Sequence, residues 1–97
     1  MVAVASLPTV EELRAHVHSL LCDHDALDPK QAPLWQGLLT RRGKPCGLRF
    51  EVSGPRLTRT YAIWASEENR LLFYDSSGAR FAEVRLSEAP DPLQLAS

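Results

Sequence analysis

Four short runs of alternating character between Cys46 and Leu86, each closed by turn-forming residues, constrain this chain more than any other feature in it. Cys46, Leu48, Phe50 and Val52 alternate with Gly47, Arg49 and Glu51, the period-two pattern of a half-buried strand. Leu57 to Trp64 is rich in Thr, Tyr, Ile and Trp, which suit a pleated surface, and reads as a second strand. Arg70 to Tyr74 reads as a third and Ala79 to Leu86 as a fourth. Ser53-Gly54-Pro55-Arg56 is turn chemistry, and Ala65 to Asn69 is a polar loop. Asp75-Ser76-Ser77-Gly78 fits a type I turn, with Gly78 at the left-handed bulge position.

One helix precedes these strands. Thr9 with Glu12 three residues later is a capping box, and Glu11 and Glu12 stand in the first turn, where the helix dipole favours acids. At about 100° per residue, Val10, Leu13, Val17, Leu20 and Leu21 fall in one stripe, so the helix has a single face to bury. It stops before Asp28-Pro29, because proline disfavours the α conformation in the residue ahead of it. Lys30 to Arg42 fits either a helix, through Leu34, Trp35, Leu38 and Leu39, or a strand that turns at Arg42-Gly43; the strand is the reading taken here.

With 97 residues there is room for one domain and one modest core. The expected fold is α+β in two layers, one N-terminal helix packed on a four- or five-stranded antiparallel β-meander. Residues 1–8 form an N-terminal arm, 9–87 the domain and 88–97 a flexible tail. The order of helix then meander is similar in architecture to cystatin-like folds. The Gln-x-Val-x-Gly loop of those inhibitors is absent, so the similarity implies no inhibitory role.

No apolar run reaches the roughly 20 residues of a membrane span. No Lys or Arg precedes Arg14, so the N-terminus lacks the positive region of a secretory signal, and two cysteines cannot make a disulfide framework. The expected location is cytoplasmic, with reduced thiols. Net charge is −1, which excludes a polycation that coats nucleic acid. The charge is uneven. Residues 1–30 hold two cations and five acids, residues 31–87 nine cations and five acids, and the last ten residues two acids.

Chemical sites find little support. His18 and Cys22 lie one helical turn apart, and His16, His24 and Cys46 could join them around a metal. Yet the spacing matches no zinc motif, and no metal is expected. There is no G-x-S-x-G elbow, no P-loop and no G-x-G-x-x-G. Asp23, His24 and Asp25 read as a solvated helix end. The chain is therefore expected to be neither an enzyme nor a cofactor binder.

The strand faces carry the functional expectation. Pairing Val52 with Leu57, Trp64 with Arg70 and Asp75 with Ala79 gathers Leu48, Phe50, Tyr61, Ile63, Phe73 and Phe81 on the face that receives the helix. The opposite face then holds Trp64, Leu72, Tyr74 and Val84 beside Arg49 and Arg80. A solvated sheet face should be polar, so this one reads as a partner interface, for a second copy in a homodimer or for another protein. A second reading takes Arg41, Arg42, Lys44, Arg49 and Arg80 with the aromatics as a nucleic-acid-binding surface. Against it stands a pI of about 6.3.

Overall fold

A computed structural model describes residues 3–54 and 58–92 of the chain. Its elements run β1 (Ala3–Ser6), α1 (Val10–His24), β2 (Trp35–Arg41), β3 (Lys44–Ser53), β4 (Arg59–Ala65), β5 (Arg70–Tyr74) and β6 (Arg80–Glu88). One helix lies on one face of a six-stranded open sheet of order β1-β6-β5-β4-β3-β2. The class is the expected α+β, but the strands number six rather than four or five. The meander itself runs from β2 to β6. The sixth strand is β1, which adds parallel to β6 in what was expected to be an arm. Pro55, Arg56 and Leu57, the N-terminal pair Met1 and Val2, and residues 93–97 of the expected tail lie outside the described residues.

α1 begins and ends on local chemistry. Thr9 is extended (φ −114°, ψ 156°) and its hydroxyl oxygen accepts from the Glu12 N–H at 3.1 Å. At the other end the Leu27 N–H donates to the Cys22 carbonyl at 2.8 Å and the Ala26 N–H to the Asp23 carbonyl at 3.3 Å. This is a Schellman closure, with Ala26 left-handed at φ 54° where glycine is the usual residue. Leu13, Val17, Leu21 and Cys22 are buried against the sheet, and each of the aliphatic side chains stabilises the fold by roughly 1.5–3 kcal/mol. The Arg14 guanidinium donates to the Gln36 amide oxygen and the buried Thr60 hydroxyl donates to the Asp25 carboxylate, tying the helix to β2 and β4.

The segment 35–41 is a strand. Arg42 (φ 55°) and Gly43 (φ 78°) both take positive φ, the type I′ geometry that suits the twist of a two-residue hairpin.

Three pairings differ from expectation. Val52 pairs with Thr60 rather than Leu57, and Trp64 with Leu71 rather than Arg70. The first shift changes the parity of β4 against β3, so Thr60, Ala62 and Trp64 turn toward the helix and Tyr61 and Ile63 turn away. In β6 the register slips between its pairs with Tyr74 and Phe73: Arg80 opposes Tyr74, Ala82 opposes Phe73, and Phe81 is the extra residue. That bulge sends Val84 and Leu86 to the helix side. Trp64 is fully buried and Val84 is 4% exposed, so neither can touch a partner from inside the core. Both leave the expected interface.

Candidate functional site

The sheet face turned away from α1 carries three rows of side chains, set by the pairing of β2 to β6. The first row is Trp35, Glu51, Tyr61, Tyr74 and Arg80. The second is Gly37, Arg49, Ile63, Leu72 and Glu83, and the third continues through Leu39, Gly47, Ala65, Arg70 and Arg85. In the chain as described no element lies over this face, which stands open to solvent.

Its centre is aromatic and aliphatic. The Tyr61 and Tyr74 rings stack at 5.0 Å between centroids. Arg49 lies 4.6 Å over the Tyr61 ring and Arg80 lies 5.5 Å over the Tyr74 ring, also donating to its hydroxyl at 3.1 Å. Ile63 and Leu72 sit beside each other in the next row. Each arginine also meets a glutamate: Arg49 with Glu51 at 3.3 Å, Arg80 with Glu83 at 3.5 Å. Arg70 is held by Glu68 at 2.6 Å and Glu83 at 3.4 Å, and the Glu68 hydrogen bond and charge raise its pKa further.

Leu72, Tyr74, Arg49 and Arg80 thus stand on the face expected of them. Sequence reasoning placed Glu51 on this face without counting it in the interface, and missed Tyr61, Ile63, Glu83 and Trp35. Trp35 is 56% exposed, and its indole lies across the Gly37 backbone, where an added Cβ would come within 2.6 Å of the ring. A tryptophan two residues before a strand glycine is the one signal that could have found it.

The cations of the nucleic-acid reading are not brought together. Arg41, Arg42 and Lys44 surround the β2–β3 turn, while Arg80 is four strands away at the other end of the face. Arg41, Arg49 and Arg80 each pair with a glutamate, Arg41 with Glu67 at 3.6 Å. A shallow hollow of about 300 Å³ near this turn is floored by Leu39, Cys46, Ile63 and Ala65.

His18 and Cys22 have other engagements. The His18 Nε2 is 2.7 Å from the Ala32 carbonyl oxygen, which fixes the loop leading to β2. Burial, with Asp23, Asp28 and Asp25 adding to it, pushes the Cys22 thiol up and away from the thiolate. Both cysteines are free. Among the described residues no three His, Cys, Asp or Glu side chains converge on a metal position, and no helix is long and apolar enough to cross a membrane. Compared with protein-family models, curated proteins and solved structures, the chain matches none.

Proposed function

We propose that this chain is a non-enzymatic protein-interaction module whose open sheet face docks a second copy of itself. One observation carries the reading: the charges in the first two rows of that face are arranged antisymmetrically about an aromatic and aliphatic centre, while in the third row Arg70 and Arg85 meet the uncharged Ala65 and Gly47. On the β3 side Glu51 stands in the first row and Arg49 in the second; on the β6 side Arg80 stands in the first row and Glu83 in the second. A two-fold axis along the strands, midway between β4 and β5, lays each β3 over the other copy's β6. Glu51 then faces Arg80, Arg49 faces Glu83, Tyr61 faces Tyr74 and Ile63 faces Leu72. An isologous dimer requires self-complementarity of this kind.

Size supports the same reading. Six strands at about 4.8 Å spacing and six residues at about 3.4 Å give a projected area of roughly 600 Å². Side-chain relief raises that toward the roughly 800 Å² per partner of a specific interface. Tyrosine, tryptophan and arginine are the side chains from which binding hot spots are built. The scatter of the cations favours a protein partner over nucleic acid: Arg41, Arg42 and Lys44 lie at the β2–β3 turn and Arg80 on the far side of the face.

The test uses two chains that cannot pair with themselves. Ile63→Lys sets two ammonium groups against leucines in the homodimer, and Leu72→Glu sets two carboxylates against isoleucines. Each variant alone is expected to sediment as a monomer. Mixed, they place one lysine against one glutamate and leave the other Ile63–Leu72 contact intact, so a heterodimer forms. If the variants self-associate like the wild-type chain, or the mixture stays monomeric while wild type does not, this placement of the axis is wrong. Association that collapses with salt and appears only with an oligonucleotide present would favour the nucleic-acid reading instead.

A further inference from the structure

We infer that the outer side of β2 is a second binding surface, which takes an extended, acid-headed segment of another protein as an added antiparallel strand. β2 is the last strand of the sheet order and has seven residues, with no strand on its outer side among the described residues. Exposed edges are usually blunted by shortness, proline, lysine or a bulge. The opposite edge, β1, uses the first device, with four residues. β2 has none of these, and the one charged side chain in it, Arg41, stands at its last position. Its sequence WQGLLTR lacks proline and lysine. The irregularity in the β2–β3 pair falls where Leu39 opposes Gly47 and Thr40 opposes Pro45, so the extra residue, Cys46, is on β3. Trp35 and Leu38, 56% and 44% exposed, stand on opposite faces of this one strand.

Geometry selects the occupant. A second copy paired along β2 needs a two-fold axis normal to the sheet at its edge. That axis and the in-plane axis of the face dimer do not intersect, and together they generate an open two-layer ribbon rather than a closed assembly. A segment of a different chain has no such consequence. This choice of occupant rests on the face reading above; the unpaired edge does not.

The chemistry of the segment is written along β2. An antiparallel strand starts opposite Arg41, beside Arg42 and Lys44, where Asp or Glu is favoured. The resident competitor is Glu67, in a pair exposed by 70% and 68% that is worth little. Opposite Leu38 the segment needs an apolar side chain on the helix face. Opposite Gly37 it finds no side chain, and the indole of Trp35 over that glycine gives an apolar residue a wall to pack on. Main-chain hydrogen bonds supply affinity and these three positions supply selectivity.

The probe is a fluorescein-labelled, C-amidated peptide, Glu-Thr-Val-Val-Ile-Thr-Thr, titrated with the full chain and followed by anisotropy. Saturable binding is expected, equal for wild type and Ile63→Lys. Arg41→Glu should weaken it about threefold or more, and a Lys-headed peptide should recover the loss. Leu38→Lys should weaken it at least tenfold without changing the molar mass of the protein. No saturable binding, or binding indifferent to the head residue, overturns the inference. A drop in molar mass on Leu38→Lys overturns the occupant, because the edge is then filled by a second copy. If the peptide binds while Ile63→Lys leaves the molar mass unchanged, the face reading fails and the edge stands.

Discussion

Trp64 is the largest fully buried side chain, and among the described residues its Nε1–H has no acceptor within hydrogen-bond reach. These two facts pull in opposite directions on substitution. Trp64→Phe removes about 40 Å³ of side chain, a loss of about 1 kcal/mol at roughly 24 cal/mol per Å³ of cavity. It also removes a buried donor whose desolvation costs about 1–3 kcal/mol. The net should be neutral to stabilising by about 2 kcal/mol. Trp64→Ala forfeits the packing as well and should destabilise by about 3–5 kcal/mol. A chain of this length holds about 5–15 kcal/mol in total, so the alanine variant lies near the limit of folding. Urea unfolding followed by far-ultraviolet circular dichroism reads both, at one fixed protein concentration because association feeds into apparent stability. With a slope of about 1–1.5 kcal/mol/M, the Trp64→Ala midpoint falls by about 2–5 M while Trp64→Phe moves little or rises. If the two substitutions prove equally harmful, the indole N–H has a partner after all. If Trp64→Ala costs under about 1 kcal/mol, the side chain is not in the core and the β4 register is wrong.

Gly47→Ala should destabilise by at least about 2 kcal/mol in the same urea titration, because its Cβ would lie 1.9 Å from the Trp64 carbonyl oxygen. Ala26→Gly should raise the unfolding midpoint by an amount worth about 0.5–1 kcal/mol, since it relieves the left-handed alanine that closes α1. Asp75 accepts from the Ser77 hydroxyl and from the Ser77 and Ala79 amides, and these hydrogen bonds hold its pKa below the usual 3.8. A carboxyl depressed by folding contributes stability above its unfolded pKa and loses it as the pH falls through the folded one. Acid titration below pH 3.8 should therefore weaken the wild-type chain, and Asp75→Ala should remove that part of the acid dependence.

The parts of the fold set by local chemistry could be read directly from the residues. Thr9 and Glu12 start the helix, Leu13, Val17 and Leu21 choose its buried face, and Arg42-Gly43 turns β2 into β3. What could not be read was phase. Tyr61 and Ile63 on one side of β4, and Ala62 and Trp64 on the other, are all apolar, so alternation does not say which side faces the helix. Only the pairing of Val52 with Thr60 decides it. Phe81 caused the error in β6. It stacks on His24 at 3.6 Å, and its insertion as a bulge reverses every later residue of β6. β1 went unseen because its four small residues have no nearby mate; its partner lies some eighty positions away. Setting the registers right moved Trp64 and Val84 out of the proposed interface and brought Tyr61, Ile63 and Glu83 onto its face, where Glu51 already stood. The open apolar face survived because both sides of this sheet carry apolar residues.

The molar mass of the wild-type chain in solution, followed by light scattering over a wide concentration range at moderate salt, bears most directly on self-docking of that face. It should climb from 10.8 kDa toward twice that value and level off there, little changed by added salt. A mass that stays at 10.8 kDa at every concentration, or one that climbs past the dimer without a plateau, contradicts the account.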